Sequence, residues 1–132
     1  MRIEKKIELL KSIKTAGIIL RPSSLELKST YLKIKDLFQK ADMEILLEDN
    51  SANMISSNGL PLEELCKKVD FLISVGGDGT LLSVVRKSFK YDKAVLGINL
   101  GTLGFLTDIS MEQLPKFIED LKNDVYKIDG RM

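Results

Sequence analysis

The sequence has no histidine and only one cysteine, Cys66. A lone cysteine excludes an internal disulfide and a thiolate-cluster metal site. Without histidine, the commonest metal ligand and the commonest general base are both missing. Acid–base chemistry therefore falls to carboxylates, lysine or tyrosine, and no metal-ligand set is read from the chain. An excess of charge of one sign is lacking too: 20 Lys and Arg against 19 Asp and Glu leave a formal net charge of +1. That balance gives no general pull towards nucleic acid or an anionic membrane, so neither is expected as a partner and any anion site must be local. No apolar run is long enough to span a bilayer, and the basic stretch from Met1 to Leu10 lacks the apolar core of a signal peptide. The expectation is a cytoplasmic protein. Cys66 itself reads as a small apolar residue on a helix.

What the chain does contain fits one ordinary domain: 132 residues, 44% hydrophobic and 30% charged, are enough for a single core. Ile3, Ile7, Leu10 and Ile13 fall at helical spacing and predict an amphipathic helix over 2–14. Thr15 to Leu20 is a short run rich in β-branched residues, stopped by Arg21-Pro22, and predicts a buried strand. Ser23 and Ser24 offer an N-cap to a helix whose buried face is marked by Leu27, Tyr31, Ile34, Leu37 and Phe38. A second strand is expected over Met43 to Leu47. A polar loop with at most one helical turn follows from Glu48 to Pro61, then a short helix from Leu62 to Lys68 and a third strand from Val69 to Val75. Thr80 to Lys90 predicts a helix with Leu81, Leu82, Val84, Val85 and Phe89 on its apolar side, and Ala94 to Ile98 a fourth strand. Leu114, Phe117, Ile118 and Leu121 organise a last helix. This alternation points to an α/β domain, three-layered and Rossmann-like, with a largely parallel sheet covered on both faces.

Two glycine turns follow strands: Gly76-Gly77-Asp78-Gly79-Thr80 and Asn99-Leu100-Gly101-Thr102-Leu103-Gly104-Phe105-Leu106. In open parallel sheets ligands bind beyond the carboxyl ends of the strands, so both turns are expected on one rim. The glycines permit positive φ and close backbone approach, and the following helix N-terminus favours negative charge, which makes phosphate the natural guest. The first turn lacks the last glycine of a dinucleotide-binding fingerprint and the lysine of a Walker loop. Its unusual member is Asp78. A carboxylate in a phosphate-accepting turn repels its ligand unless it has a further role, such as orienting an attacking hydroxyl, accepting its proton, or helping to hold a cation. The alternative is that Asp78 merely caps the helix, and Thr80 has the same two readings. Arg21 could reach the rim as a phosphate clamp or stand in solvent. Arg86 and Lys87, about 10 Å along the helix at 1.5 Å per residue, read as surface charge.

Gly76 to Thr80 resembles the GGDGT motif shared by NAD kinases and by diacylglycerol and sphingosine kinases. The turn around Phe105 is similar to the second glycine motif of NAD kinases in particular. The resemblance implies that the chain is the N-terminal half of a two-domain NAD kinase, with 1–124 as the α/β domain. On that view 125–132, including Tyr126 to Met132, is the passage into a C-terminal domain. It further implies transfer of the γ-phosphoryl of ATP, with a divalent metal such as Mg²⁺, to the 2′-hydroxyl of the adenosine ribose of NAD. Asp78 would be the proton acceptor and Gly79 its neighbour in the NAD site. Phe105 would lie against the nucleotide, where core packing is its other reading. Gly76, Gly77 and Thr80 would form the phosphate turn. A homo-oligomer is implied for the full-length protein. Two alternatives stand beside this reading. One is a lipid kinase of the diacylglycerol type, although Leu81-Leu82-Ser83 replaces the Asn-Glu pair usual there. The other is a catalytically silent nucleotide-binding domain.

Overall fold

The computed structural model describes residues 14–101 and 108–122. The helix expected over 2–14, Phe105 and the closing segment from Asp124 therefore lie outside the described residues, apart from Lys14. The order of elements is β1 (Thr15–Leu20), α1 (Leu27–Lys40), β2 (Glu44–Leu47), α2 (Asp49–Met54), α3 (Leu62–Lys68), β3 (Phe71–Gly76), α4 (Asp78–Ser88), β4 (Ala94–Asn99), β5 (Ile109–Ser110) and α5 (Leu114–Lys122). Single 3₁₀ turns, Phe89–Tyr91 and Met111–Gln113, follow α4 and precede α5.

The five strands form one sheet in the order β2-β1-β3-β4-β5, and each of its pairings is parallel. Strand residues alternate between its faces, as the period of two requires. Ala16, Ile18, Leu20, Phe71, Ile73, Val75, Leu96 and Ile98 meet α1 and α5 in the larger core. Phe71 stands between Phe38 and Phe117, with ring centroids 6.5 Å apart on either side. On the opposite face Leu72 packs with Leu65, Cys66, Val69 and Val84. This is the three-layer arrangement expected from the sequence. Gly17 is what lets α3 sit down on the sheet, because a Cβ there would lie 2.8 Å from Cγ of Leu65. Cys66 is buried in this second core, and burial pushes its thiol pKa up, partly offset by Lys93.

Several expectations change at the level of single residues. Ser23 and Ser24 do not cap α1, which begins at Leu27 after Glu26 with no side-chain cap. The Ser24 hydroxyl instead accepts from Nε of Arg21 (2.7 Å) and donates to the Pro22 carbonyl (3.1 Å). Val69 closes α3 rather than opening β3. Asp70, ahead of the strand, clamps the start of β1: its Oδ2 accepts from the backbone N–H of Lys14 (2.7 Å) and Thr15 (3.0 Å). Leu82, Val85 and Phe89 do not pack inwards. They are 50%, 40% and 78% exposed, while Leu81, Val84 and Ser88 form the buried stripe of α4.

Ser74, in the middle of β3, is fully buried and its hydroxyl has no hydrogen-bond partner among the described residues. An orphaned buried hydroxyl costs about 1–3 kcal/mol. Ser74→Ala is accordingly expected to raise stability by about 1 kcal/mol, read as a higher urea midpoint at unchanged slope.

Candidate active site

In the strand order, direction reverses at β1: β2 lies on one side of it and β3 on the other. At such a point the chain leaves neighbouring strands in opposite directions, and a crevice opens beyond their carboxyl ends. The backbone closes the floor of this crevice, with the N–H of Arg21 donating to the Val75 carbonyl at 2.9 Å. Above it lies a cavity of about 730 Å³, within the size range of small-molecule sites. Ile19, Leu20 and Pro22 contribute from β1 and its exit, Glu48 to Ser51 and Met54 from α2, and Gly79, Thr80, Ser83, Val84 and Lys87 from α4.

The wall contributed by α2 is held by a buried hydrogen-bond chain. The Leu20 N–H donates to Oγ of Ser51 (2.8 Å), which donates to Oε1 of Glu48 (2.8 Å). The Glu48 carboxylate also accepts from the N–H groups of Asn50 (2.7 Å) and Ser51 (3.0 Å), capping α2 and tying it to the end of β1. Nothing in the periodicity marks this stretch, which is why a loop was the expectation there. The available signal was Glu48 followed by Ser51, a side-chain acceptor just ahead of orphan N–H groups.

The glycine turn is built differently from the sequence expectation. Gly77 is the N-cap with φ −133°, and Asp78 is the first residue of α4, so Asp78 does not act as the cap. No positive φ is needed at 76, 77 or 79. Gly76 is required for space, since a Cβ there would lie 2.6 Å from Oγ1 of Thr80 and 3.1 Å from Cβ of Arg21. Gly77 and Gly79 face open space, with nothing within 4 Å of an added Cβ. They leave the backbone of the turn uncovered. Asp78 is half-buried and engaged by a neighbouring group, and as an acidic residue in the first turn it complements the helix dipole.

The first glycine turn shares a rim with Asn99 to Gly101, the described start of the second. Gly76 pairs with Asn99 in the β3–β4 register, and the Leu100 N–H donates to the Gly76 carbonyl at 2.9 Å. Oδ1 of Asn99 in turn accepts from the Gly101 N–H at 3.2 Å. Beyond the turn, Asp108 ties the returning chain to β4, its Oδ2 accepting from the Gly97 N–H at 2.9 Å. The structure therefore brings together Gly76, Gly77, Asp78, Gly79 and Thr80 with Asn99 to Gly101, while Phe105 falls outside the described residues.

Residues 16–126 match the family model described as the ATP-NAD kinase N-terminal domain. The chain belongs to the ATP-NAD kinase family. Among its relatives, the NAD kinase of Sulfurimonas denitrificans is 51% identical over 121 residues, a match covering 92% of this chain and 43% of that protein. The NAD kinase of Wolinella succinogenes is 46% identical over 123 residues, covering 93% of this chain and 42% of that one. The chain thus spans about two fifths of the length of these relatives. A crystal structure of yeast NADH kinase complexed with NADH matches with a TM-score of 0.68 over 86% of this chain and 39% of that chain. At 19% identity that likeness speaks for the fold. Within the family domain, Arg21 stands exposed beside Gly76, with its guanidinium held by Ser24 and by Glu26 at 3.2 Å. Arg86 and Lys87 are both exposed, as expected of surface charge, and Lys87 also lines the cavity.

Among the described residues no group of three His, Cys, Asp or Glu side chains is placed to hold a metal ion. Carboxylates at the site come singly, Asp78 in the turn, or as the adjacent Glu48 and Asp49 on the far wall. That pattern does not fit a resident metal centre.

Proposed function

We propose that the whole protein is an NAD kinase, and that this chain supplies the half of its active site that carries Asp78. The reaction is transfer of the γ-phosphoryl of ATP to the 2′-hydroxyl of the adenosine ribose of NAD, giving NADP and ADP. The observation that carries the reading is the GGDGT turn at the sheet's reversal point, with Leu100, at the start of the second glycine motif, hydrogen-bonded to it. In this mechanism the Asp78 carboxylate accepts a hydrogen bond from the 2′-hydroxyl, aims its oxygen at the γ-phosphorus and takes its proton late. A late proton transfer suits a loose phosphoryl-transfer transition state and does not require a strong base. The uncovered backbone at Gly77 and Gly79 and the Thr80 hydroxyl receive phosphate oxygens at the N-terminus of α4. Gly76 keeps the turn close to the sheet, and Phe105 lies against the bound nucleotide. Magnesium enters as part of the magnesium–ATP substrate, where it offsets charge on the phosphates.

Incubating the whole protein with NAD and magnesium ATP is expected to yield NADP and ADP in equal amounts. Phosphate transfer to diacylglycerol, with none to NAD, would overturn the reading in favour of a lipid kinase.

A further inference from the structure

We infer that Lys87 grips the polyphosphate chain of the nucleotide donor inside the switch-point cavity, an inference that takes the identity of the ligand from the kinase reading above. Lys87 is the one cation in the cavity wall formed by the described residues. It has no ion-pair partner among them, whereas Lys40 is paired with Asp36 at 3.0 Å and Lys67 with Glu63 at 3.8 Å. Thr80, Ser83 and Lys87 follow one another at helical spacing along the cavity side of α4. Distance along the axis is no obstacle. Helix side chains lean towards the N-terminus, so an extended lysine recovers about 5 Å or more of the roughly 10 Å that separates its Cα from the first turn.

The rest of the cavity orients the ligand in the same sense. Glu48 and Asp49 line the cavity on the α2 side, where the Glu48 carboxylate accepts from the Asn50 N–H and from the N–H and hydroxyl of Ser51, which leaves Asp49 as the carboxylate open to a ligand. That end repels phosphate and accepts hydrogen bonds from hydroxyl or amino groups. Elsewhere in the lining Ile19, Met54 and Leu62 offer apolar surface suited to a flat base. A molecule with an anionic chain at one end and a base with donor groups at the other, a nucleoside polyphosphate, fits this polarity. Its anionic end falls to Lys87.

The test is Lys87→Gln in the whole protein, with Lys87→Arg and Arg86→Gln beside it. Losing a charge-assisted hydrogen bond should raise the KM for ATP by roughly ten- to a hundredfold. The KM for NAD should stay within about twofold, since Lys87 stands roughly 13 Å along α4 from Asp78 at 1.5 Å per residue. Arg at position 87 should restore most of the ATP affinity. Arg86→Gln removes the same charge next door and should leave both constants unchanged. Calorimetry with inorganic tripolyphosphate separates this inference from the kinase reading. Binding by the unaltered protein that is lost in Lys87→Gln supports Lys87 even if no NADP is formed. Equal binding by both proteins, no binding by the unaltered protein, or an unchanged KM for ATP would each overturn it.

Discussion

Replacing Asp78 by Asn is expected to lower turnover of the whole protein by about 10²- to 10⁴-fold while NAD still binds, the range typical for loss of a general base. Asparagine keeps the shape of the side chain and can still donate or accept one hydrogen bond, but it cannot take the proton of the ribose hydroxyl. The fold should survive. Asp78 is the first residue of α4, half-buried and engaged by a neighbouring group, so the change weakens that contact as well as the favourable interaction with the helix dipole, the latter worth about 1 kcal/mol or less. Single-turnover kinetics, calorimetry with NAD and a urea titration on the same sample separate the three quantities. Near-normal turnover would remove Asp78 from the mechanism. A collapse of stability would instead make it a structural residue whose partners in the turn matter more than its proton chemistry.

A paired substitution at the glycines should divide in the opposite way. Gly76→Ala puts a methyl group 2.6 Å from Oγ1 and 3.0 Å from Cβ of Thr80, so the first turn of α4 must move off the sheet. Thr80 is β-branched and anchored in a helix, and it cannot swing aside as a long flexible side chain could. The overpacking should cost about 1–3 kcal/mol, and displacing the turn by a fraction of an ångström should lower turnover by about a hundredfold. Gly79→Ala meets nothing within 4 Å and sits in a helix without positive φ. It should therefore keep or raise stability, by about 0.4–1 kcal/mol, while weakening substrate binding where its methyl projects beside the cavity. Thermal unfolding and substrate KM measured for both variants check this. Equal stability loss in the two would mean that the turn is not seated on Thr80 as described.

Much of the fold was legible because its elements are short and strongly patterned. The apolar runs at Ile18-Ile19 and at Phe71-Leu72-Ile73, and the helical spacing of Leu27, Tyr31, Ile34 and Phe38, leave little room for another period. The failures have local causes. Leu81, Leu82, Val84, Val85 and Phe89 spread over too wide an arc for one helix face, and periodicity alone cannot say which part of that arc meets the sheet. Docking of α4 over β3 and β4 chose Leu81, Val84 and Ser88, and Ser88 tolerates burial by donating to the Val84 carbonyl at 2.7 Å. Ser24 was lost as a cap because Arg21 and Pro22 offered its hydroxyl nearer partners.

Taken alone, the amino-acid sequence determined the class of fold, the two glycine turns and the carboxylate between them, since these depend on residue types at short spacing. Only the tertiary structure decided which strands lie next to one another, and therefore where the crevice opens. It also replaced conformational freedom with close packing as the reason for Gly76, and it set Lys87, exposed as expected, along a cavity wall. The physical reason is the same in each case: a sheet joins residues distant in sequence, and a helix aims its side chains only once something has fixed its rotation.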